Sequence, residues 1–549
     1  MKPMEKMELL YKKYCREAFD SHGVLKTFEP VVPENFNFAY DVVDYIAHHE
    51  PKRRAMVWCN DEGEEKTFTF DDMRRWSNKT ANYLLSEGIQ KGDKVMVILK
   101  RHYEFWFTIL ALHKIGAVII PATNQLTKKD IVYRIESADV KAVICTPDGE
   151  VSQAVDEAVE DITWPVLKMM VHGAKQGWKD FNAGIEAAAD ELERIPNHVS
   201  DMLLIYFTSG TTGYPKMVAH NHSYPIGHII TARHWHNVVP EGLHLSVSDT
   251  GWGKAVWGKL YGQWLCAAGI FVYDFTRFEP KDLLHKIEQY KITTFCAPPT
   301  IYRFFIKEGM DGYDLSSLCY ATTAGEALNP EVYNRFKEYT GLDLMEAFGQ
   351  TETTVLLANL VGSKTKPGSM GRPSPLFDVQ VLDSNGNPVA TGDVGEICVK
   401  ADGPQVGLFM GYHKNQKLTD EAWHNGYYHT GDTVWQDEDG YLWYEGRTDD
   451  VIKASGYRIG PFEIESVLME HPAVLECAVT GAPDPVRGTV VKATIVLTKG
   501  YQPSPELTKE LQNHVKHQTA PYKYPRIIEY RDFLPKTISG KIRRVELKG

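Results

Sequence analysis

Short apolar runs alternate with segments of helical spacing along most of the chain. Residues 94–99 form an apolar run, residues 103–113 follow with helical spacing, and residues 117–120 form a second apolar run. Such short runs are typical of buried strands, so this stretch predicts a β-α-β unit. Repetition of the unit predicts an α/β fold with parallel sheets covered by helices, in which ligands bind at the carboxyl ends of the strands. The alternation returns at residues 294–297, 300–305, 318–323, 330–339 and 343–347.

The pattern changes beyond about residue 450, where it predicts a small α+β domain of about one hundred residues. The junction, residues 446–460, is glycine-rich and charged, as is typical of a hinge. We therefore predict a large N-terminal domain of residues 1–449 and a small mobile C-terminal domain of residues 450–549. The elements predicted for the small domain are helices at 462–470 and 506–517 and strands at 475–480, 490–497 and 527–530.

The composition excludes several classes of protein. Of the 549 residues, 43% are hydrophobic and 24% are charged, which argues against a disordered or collagen-like chain. Lysine and arginine total 60 against 72 acidic residues, and the net charge of −12 argues against nucleic-acid and anionic-membrane partners, which need a basic surface. The eight cysteines are widely spaced, without a CxxC pair, and predict reduced thiols rather than a disulfide framework.

The sequence predicts no integral membrane segment. The first twenty residues are charged and lack the apolar core of a signal peptide. The most apolar stretch, residues 256–273, is interrupted by Lys259 and Gln263, and it falls short of a spanning helix. We therefore expect a soluble cytoplasmic protein.

The strongest chemical signal lies in residues 205–216. An apolar strand at residues 202–207 leads into a loop of glycines and hydroxyl residues that ends in a lysine. Glycines let backbone N–H groups approach a phosphate, hydroxyls add donors, and a lysine adds positive charge. The spacing is not that of a Walker A loop, which needs GxxxxGK[ST]. The candidate phosphate-binding residues are Thr208, Ser209, Gly210, Thr211, Thr212, Gly213 and Lys216.

This loop resembles the phosphate loop of the adenylate-forming superfamily, which comprises acyl-CoA synthetases, adenylation domains and luciferases. The resemblance runs from about residue 30 to Lys541, with the motifs in the family's order, and is greatest to the medium-chain acyl-CoA synthetase branch. It implies that Phe348 stacks on adenine, where the family commonly has tyrosine, and that Thr351 contacts the α-phosphate. The segment that the resemblance assigns to ATP comprises Gly325, Glu326, Glu346, Ala347, Phe348, Gly349, Gln350 and Thr351.

The resemblance also implies the acidic and basic groups of the site. Glu352 is expected to bind Mg²⁺, which prefers oxygen ligands. Asp432, in YHTGD, matches the carboxylate that accepts both ribose hydroxyls, and Arg447 should reach the ribose or the phosphates. Lys541 matches the catalytic lysine, whose ammonium stabilises the charge that develops at the α-phosphorus. Together with Lys541, we expect Thr351 and Glu352 to be catalytic.

A second group of residues would serve CoA and the acid. The resemblance implies a hinge at Asp449 and CoA contacts at Ser455, Gly456, Tyr457, Arg458 and Arg487. Acetyl-CoA synthetases carry tryptophan at the position of Gly349, so a glycine predicts space for a longer or branched acid. We favour a short-to-medium-chain aliphatic acid over an aryl acid. The candidate acyl-pocket residues are Trp235, Trp252, Lys254, Trp257, Cys296 and Gly349.

The implied activity is that of an AMP-forming acid–thiol ligase. The enzyme would convert the acid to acyl-AMP with release of pyrophosphate, then transfer the acyl group to CoA with release of AMP. Mg²⁺ would accompany ATP, CoA would be the co-substrate, and a homo-oligomer is left open. A CoA-independent acyl- or aryl-adenylate former is the alternative with the same fold. A luciferase-like monooxygenase and a non-enzymatic nucleotide-binding module are the alternatives from other classes.

Overall fold

The computed structural model describes residues 7–173, 175–208, 214–454, 457–485, 488–536 and 541–548. It confirms the α/β class and the first predicted unit. Strand Lys94–Ile98, helix Glu104–Ile115 and strand Val118–Pro121 follow one another, and the two strands are parallel with Val95 opposite Ile119. Every residue of the helix is buried, because sheet and neighbouring helices pack on all its faces.

The sheet that contains this unit carries the phosphate-loop strand. Its central strands are parallel, and the pairings at the first edge are antiparallel. In order across the sheet, its strands are Gly411–Tyr412, Lys216–Asn221, Met202–Thr208, Val118–Pro121, Lys94–Ile98, Val140–Cys145, Leu167–Met170 and Lys179–Asp180.

A second sheet carries the segments expected to bind adenine and metal. Its central strands are again parallel and it confirms the β-α repeats predicted between residues 294 and 347. Its strands, in order, are Arg372–Pro373, Val355–Ala358, Leu344–Gly349, Tyr320–Thr323, Thr294–Ala297, Leu243–Ser246, Gly269–Asp274, Arg54–Asn60 and Glu65–Thr69.

An antiparallel sheet supplies the expected ribose site. Strand Tyr427–Gln436 pairs with Val394–Lys400 on one side and with Leu442–Arg447 on the other, which puts Asp432 opposite Arg447. Strand Val379–Leu382 extends the sheet beyond Val394–Lys400, and Trp423–His424 pairs with the start of Tyr427–Gln436. Short hairpins elsewhere pair Cys15–Phe19 with Leu25–Pro30 and Ile452–Ala454 with Tyr457–Ile459.

The C-terminal segment has its own sheet and its own core. Strands Val474–Asp484 and Gly488–Leu497 are antiparallel, and Ile527–Tyr530 joins the second of them in parallel. Helices Pro461–Met469 and Pro505–Gln518 cover the sheet, and the buried cluster that they form with it contains residues from Ile452 onward. The elements predicted after residue 450 are thus confirmed, with bounds that move by a few residues.

The remaining helices lie on and between the sheets. Residues 256–273 form the end of one short helix, a second short helix and a strand. Among the described residues, no helix is long and apolar enough to cross a membrane. The helices of the large segment are Tyr45–His49, Phe70–Ser86, Glu104–Ile115, Lys128–Ala138, Val151–Val159, Phe181–Ala187, Tyr224–Ile229, Gly253–Lys259, Tyr261–Leu265, Pro280–Gln289, Pro299–Glu308, Pro330–Thr340 and Gln416–Ala422.

Candidate active site

The phosphate loop connects two antiparallel strands. Strand Met202–Thr208 leads into it and strand Lys216–Asn221 leaves it, with Thr208 opposite Lys216. A strand after the loop distinguishes it from a Walker A loop, which opens a helix. The loop residues Ser209, Gly210, Thr211, Thr212 and Gly213 lie outside the described residues. The structure therefore positions the two ends of the loop and the ammonium of Lys216.

Tyr412 connects Lys216 to the expected metal ligand. The Lys216 ammonium lies 5.0 Å from the centre of the Tyr412 ring, and the Tyr412 hydroxyl donates a 2.8 Å hydrogen bond to Glu352 Oε1. Burial and the Glu352 charge raise the pKa of Tyr412, so the phenol keeps its proton and remains a donor. Sequence reasoning missed Tyr412, because only the pairing of Val218 with Tyr412 brings it to the site.

Glu352 and Thr351 are held from two sides. The backbone carbonyl of Thr351 lies 2.8 Å from Nε2 of the buried His220, and Tyr412 holds Glu352 Oε1. No described residue hydrogen-bonds the other carboxylate oxygen of Glu352, which is half-buried. A positioned carboxylate with one available oxygen beside a phosphate loop suits a hard cation such as Mg²⁺.

Glu346 lies in the buried part of strand Leu344–Gly349. Its Oε1 accepts a 3.1 Å hydrogen bond from the Leu328 backbone N–H, and its Oε2 is buried without a partner among the described residues. Burial raises the pKa of Glu346 to about 8, against the lowering effect of the Leu328 hydrogen bond. Glu346 is therefore mostly protonated at neutral pH. Ala347 is buried and Phe348 is half-buried beside it.

A hydrogen-bond network fixes the expected ribose ligand. Gln350 Nε2 donates to Asp432 Oδ2 at 2.5 Å and to the Thr430 carbonyl at 2.8 Å. The Tyr428 hydroxyl donates to Gln350 Oε1 at 2.7 Å, and the Tyr444 hydroxyl donates to Asp432 Oδ1 at 3.2 Å. The carboxylate thus has a fixed orientation before any ligand binds.

Arg447 and Lys541 bring positive charge to Asp432. Arg447 Nη1 lies 3.3 Å from Asp432 Oδ2. Burial raises the pKa of the Asp432 carboxyl, while Arg447, Gln350 and Lys541 act in the opposite direction. The charge of Lys541 acts on Asp432 although the two residues are 109 positions apart. The expected catalytic lysine is thus one of the positive charges that influence the expected ribose carboxylate.

Residues before and after Lys541 pair with each other. Residues Lys536 and Ile542 form an isolated β-bridge, and the Arg543 N–H donates to the Pro535 carbonyl at 2.8 Å. Ile542 packs against a small buried cluster that includes Leu534. These contacts define where the chain enters and leaves the 536–542 segment, of which residues 537–540 lie outside the description.

The expected adenine loop has open space beside Gly325. Gly325 has φ +106°, and no described atom lies within 4 Å of the position that a Cβ would take. A planar ring can therefore approach the backbone there. Lys254 Nζ donates to the neighbouring Ala324 carbonyl at 2.9 Å, whereas the Glu326 carboxylate accepts a hydrogen bond from Thr300.

The candidate acyl-pocket residues differ in exposure. Trp235 and Cys296 have no exposed surface, and the Trp235 indole N–H donates to the Met345 carbonyl at 3.0 Å. Trp252 and Trp257 are half-buried, so these two aromatic side chains keep exposed surface that a ligand could contact. Burial lowers the pKa of Lys254, whose ammonium lies 5.6 Å from the centre of the Trp257 ring. The assignment of this pocket remains a prediction.

Gly349 has a structural role that the sequence did not indicate. A Cβ at this position would lie 2.6 Å from the Thr354 carbonyl oxygen. A side chain at this position would therefore require the Thr354 backbone to shift. The part of Gly349 in the acyl pocket remains a prediction.

The expected CoA residues are only partly described. Ser455, Gly456 and Arg487 lie outside the described residues, as do the side chains of Tyr457 and Arg458. The backbones of Tyr457 and Arg458 belong to strand Tyr457–Ile459. The contacts of these residues with CoA therefore stay predictions.

Asp449, the expected hinge residue, is contacted by residues from both of the predicted domains. Arg447 Nε lies 3.5 Å from Asp449 Oδ1, and Lys548 Nζ donates to the Asp449 carbonyl at 3.2 Å. The neighbouring Asp450 is paired with Lys548 at 3.1 Å and with Arg544 at 3.7 Å. The expected hinge thus connects the ribose strand with the segment that follows Lys541.

Helix Pro461–Met469 and the residue before it contact the large unit through hydrogen bonds and a ring contact. Asn329 Nδ2 donates to the Ser466 carbonyl at 3.3 Å, and Arg303 Nη1 lies 3.3 Å from the Met469 sulfur. The Gly460 N–H donates to Glu445 Oε1 at 3.0 Å. The Phe462 ring also packs edge-on against the Tyr444 ring, with centres 5.6 Å apart, so the interface combines polar and apolar contacts.

Sequence comparison shows the family to which a chain with these motifs belongs. The chain belongs to the AMP-binding enzyme family: the model of that family matches residues 43–413, and the model of the AMP-binding enzyme C-terminal domain matches residues 463–541. The family predicted from the motifs is thereby confirmed.

Similar proteins carry synthetase and ligase names. The chain is 41% identical to acyl-coenzyme A synthetase ACSM3, mitochondrial, of Mus musculus, over 99% of this chain and 96% of that protein. It is 42% identical to acyl-coenzyme A synthetase ACSM5, mitochondrial, of Homo sapiens, over 94% and 91%. The anthranilate CoA ligase AuaEII, solved with anthranoyl-AMP, matches with a TM-score of 0.86 at 27% identity over 94% of this chain and 97% of its own. An acyl-CoA synthetase from Brucella canis matches with a TM-score of 0.71 at 32% identity, covering 94% of each chain.

Proposed function

We propose that this protein, an ATP-dependent acyl-CoA synthetase of the AMP-forming class, activates a short-to-medium-chain aliphatic acid, straight or branched. The observation that carries the proposal is the network around Asp432, in which Gln350, Tyr444 and Arg447 orient a buried carboxylate that could accept the ribose hydroxyls of ATP. The names of the similar proteins support acyl transfer to CoA. The ACSM3 and ACSM5 relatives are named mitochondrial, so a cytoplasmic location remains a prediction.

In the first half-reaction, a carboxylate oxygen of the acid attacks the α-phosphorus of ATP and pyrophosphate leaves. The phosphate loop and Lys216 would bind the phosphates, Asp432 would accept the ribose hydroxyls, and Lys541 would stabilise the charge on the pentavalent phosphorus. Glu346, protonated at neutral pH, has an unpartnered oxygen at the end of the strand that leads to Phe348. This acid would hydrogen-bond the nucleotide as a neutral group.

Glu352 is the residue that would hold Mg²⁺. Its half-buried carboxylate is oriented by Tyr412 and stands near Lys216, which fits a hard cation shared with phosphate oxygens. Bound Mg²⁺ would offset part of the negative charge of ATP. The protein's net charge of −12 cannot attract ATP or CoA, so the attraction must come from such local groups.

In the second half-reaction, the CoA thiolate attacks the acyl carbonyl carbon and AMP leaves. We propose that the unit beginning at residue 450 rotates about Asp449 between the two steps. The contacts of Asn329 and Gly460 would break, Lys541 would leave the nucleotide, and the 455–458 turn would approach it. One site would thereby serve two reactions.

The function is tested by CoA-dependent AMP release across a panel of carboxylic acids. The panel includes straight and branched aliphatic acids, and also benzoate and anthranilate, because solved relatives are named as ligases of those acids. We expect the highest kcat/KM with an aliphatic acid. Preference for an aryl acid would refute the proposed substrate class. Acid-dependent pyrophosphate exchange without CoA-stimulated AMP release would favour the CoA-independent alternative.

Arg487→Ala is expected to raise the KM for CoA by roughly tenfold, the effect of losing one charge-assisted contact, and to leave the KM for ATP unchanged. Steady-state kinetics with each substrate varied in turn measures both constants. Arg335→Ala is the matched control, because Arg335 is exposed and pairs with Glu338 on a distant helix. An unchanged KM for CoA would remove Arg487 from the CoA site.

Tyr412→Phe is expected to lower kcat/KM for ATP by about tenfold and to raise the Mg²⁺ concentration needed for half-maximal rate. The change removes one hydrogen bond to a charged group, worth about 1.5–3 kcal/mol, and keeps the ring beside Lys216. Tyr427→Phe is the control, since its hydroxyl bonds Gln380 outside the site. Equal Mg²⁺ dependence in both variants would show that Tyr412 does not position Glu352.

A further inference from the structure

Three metal-binding side chains converge behind the ribose site. On the antiparallel sheet, Cys398 lies opposite His429, and Glu396 precedes Cys398 by two residues. The pairing is irregular between Glu396 and Cys398, and this irregularity brings the His429 ring to both residues. None of these residues belongs to the nucleotide site described above.

The distances between the donor atoms match a tetrahedral cation site. Cys398 Sγ lies 3.5 Å from His429 Nδ1, which lies 3.0 Å from Glu396 Oε2, and the ligand atoms all lie within 4.8 Å of one another. A zinc ion with bonds of about 2.3 Å to sulfur and about 2.0 Å to nitrogen and oxygen separates its donors by roughly 3.3–3.6 Å. Small side-chain rotations would therefore suffice to close the site.

The donor set selects a class of cation. A thiolate, an imidazole and a carboxylate together suit Zn²⁺ and similar borderline cations, whereas Mg²⁺ prefers oxygen ligands alone. The site is thus chemically distinct from Glu352. The backbone fixes the donors on neighbouring strands, and Cys398 is fully buried. Glu396 and His429 keep 22% and 17% of their side chains exposed, which leaves an approach for the cation and for a water as the fourth ligand.

His424 acts as a support for His429. The two rings are stacked with centres 3.7 Å apart and planes within 2° of parallel. A cation bound in the plane of the His429 ring lies outside the plane of the His424 ring, so His424 orients its neighbour without being a ligand.

We propose that Glu396, Cys398 and His429 bind a divalent cation of the zinc class, and that its binding weakens ATP binding through the turn that carries Asp432. Glu396 Oε1 accepts a 2.8 Å hydrogen bond from the Gly431 N–H, directly before Asp432. A cation that draws Glu396 inward changes the position of this turn. Binding exchanges the Cys398 thiol proton for a metal–sulfur bond and releases that proton to water.

Cobalt spectroscopy tests the binding. The metal-stripped full-length protein is titrated with Co²⁺ in excess Mg²⁺, which occupies oxygen sites without competing for a thiolate. We expect a cobalt–thiolate charge-transfer band that zinc abolishes. Cys398→Ser should lose the band, and His429→Gln should weaken cobalt binding by at least about tenfold. Cys319→Ser is the control, because Cys319 is the exposed cysteine and directly precedes strand Tyr320–Thr323 of another sheet.

Glu396→Gln provides a second variant should Cys398→Ser fail to fold, and it should also weaken cobalt binding by at least about tenfold. Absence of the band in the parent protein would overturn the site. So would a band that survives Cys398→Ser or disappears in Cys319→Ser.

The effect on ATP is measured separately. Zinc at saturating Mg²⁺ should raise the KM for ATP at least about threefold in the parent and leave it unchanged in Cys398→Ser, if Gly431 transmits the change. This second part rests on the proposed role of Asp432 in ATP binding, whereas the cobalt band does not. An unchanged KM in a protein that binds cobalt through Cys398 would overturn the coupling and retain the site.

Discussion

Lys541→Ala is expected to slow acyl-AMP formation at least about 100-fold, the typical loss when a group that stabilises developing charge is removed. In the present arrangement of the two units, Lys541 is one of the charges that lower the pKa of the Asp432 carboxyl, and we propose that the lysine serves the adenylation step. Thioester formation from supplied acyl-AMP should be largely retained, because the small unit would then be rotated and Lys541 would be away from the nucleotide. Acid-dependent pyrophosphate exchange and single-turnover thioester formation measure the two steps.

Lys536→Ala is the matched control for this experiment. Lys536 belongs to the same segment, but its ammonium pairs with Glu476 at 2.7 Å. Its loss should leave both half-reactions within about twofold of the parent, as for other surface ion pairs. Equal losses in adenylation and thioester formation for Lys541→Ala would contradict domain alternation.

Glu346→Gln is expected to stabilise the ligand-free protein above pH 8 and to have little effect near pH 5. The pKa of Glu346 is raised by burial from the ordinary 4.5 to about 8 in the folded protein. The folded state therefore binds the proton more tightly than the unfolded state does. The contribution of Glu346 to the free energy of unfolding is fully present below about pH 4.5 and is lost as the pH rises through about 8. Ionisation of such a buried acid costs about 4–5 kcal/mol.

The measurement is the apparent Tm of both proteins from pH 5 to pH 9. Glutamine keeps the carbonyl oxygen that accepts from the Leu328 N–H, so the variant retains this contact. Glu326→Gln is the control, because Glu326 is exposed in the neighbouring loop. A Tm difference between Glu346→Gln and the parent that stays constant with pH would mean that Glu346 is ionised throughout this range.

Local patterns predicted the elements of this fold well. The runs at residues 94–99 and 294–297 became the parallel strands Lys94–Ile98 and Thr294–Ala297, because a fully buried strand must be apolar on both faces. The helices after residue 450 follow the apolar stripe that covers their sheet. Bounds moved by one or a few residues where caps and turns, rather than hydrophobicity, end an element.

The candidate site was predicted less completely than the secondary-structure elements. Asp432 and Lys541 were predicted from their motifs, and their roles stay predictions, although the Lys541 charge is among those that lower the pKa of Asp432. Tyr412 was missed, since it lies 60 residues from Glu352 and only a strand pairing makes them neighbours. Gly349 was assigned to the acyl pocket from the family pattern alone, which could not show that an added Cβ would lie 2.6 Å from the Thr354 carbonyl oxygen.

The sequence by itself determined the fold class, the order of the motifs and the chemistry of the separate groups. These properties depend on residue type and on spacing along the chain, both of which are local. Only the tertiary structure decided which groups act together: Gln350 with Asp432, Tyr412 with Glu352, and Cys398 with His429. Each pair lies on segments far apart in sequence, and the packing of strands and the burial that results determine their distances and their pKa values.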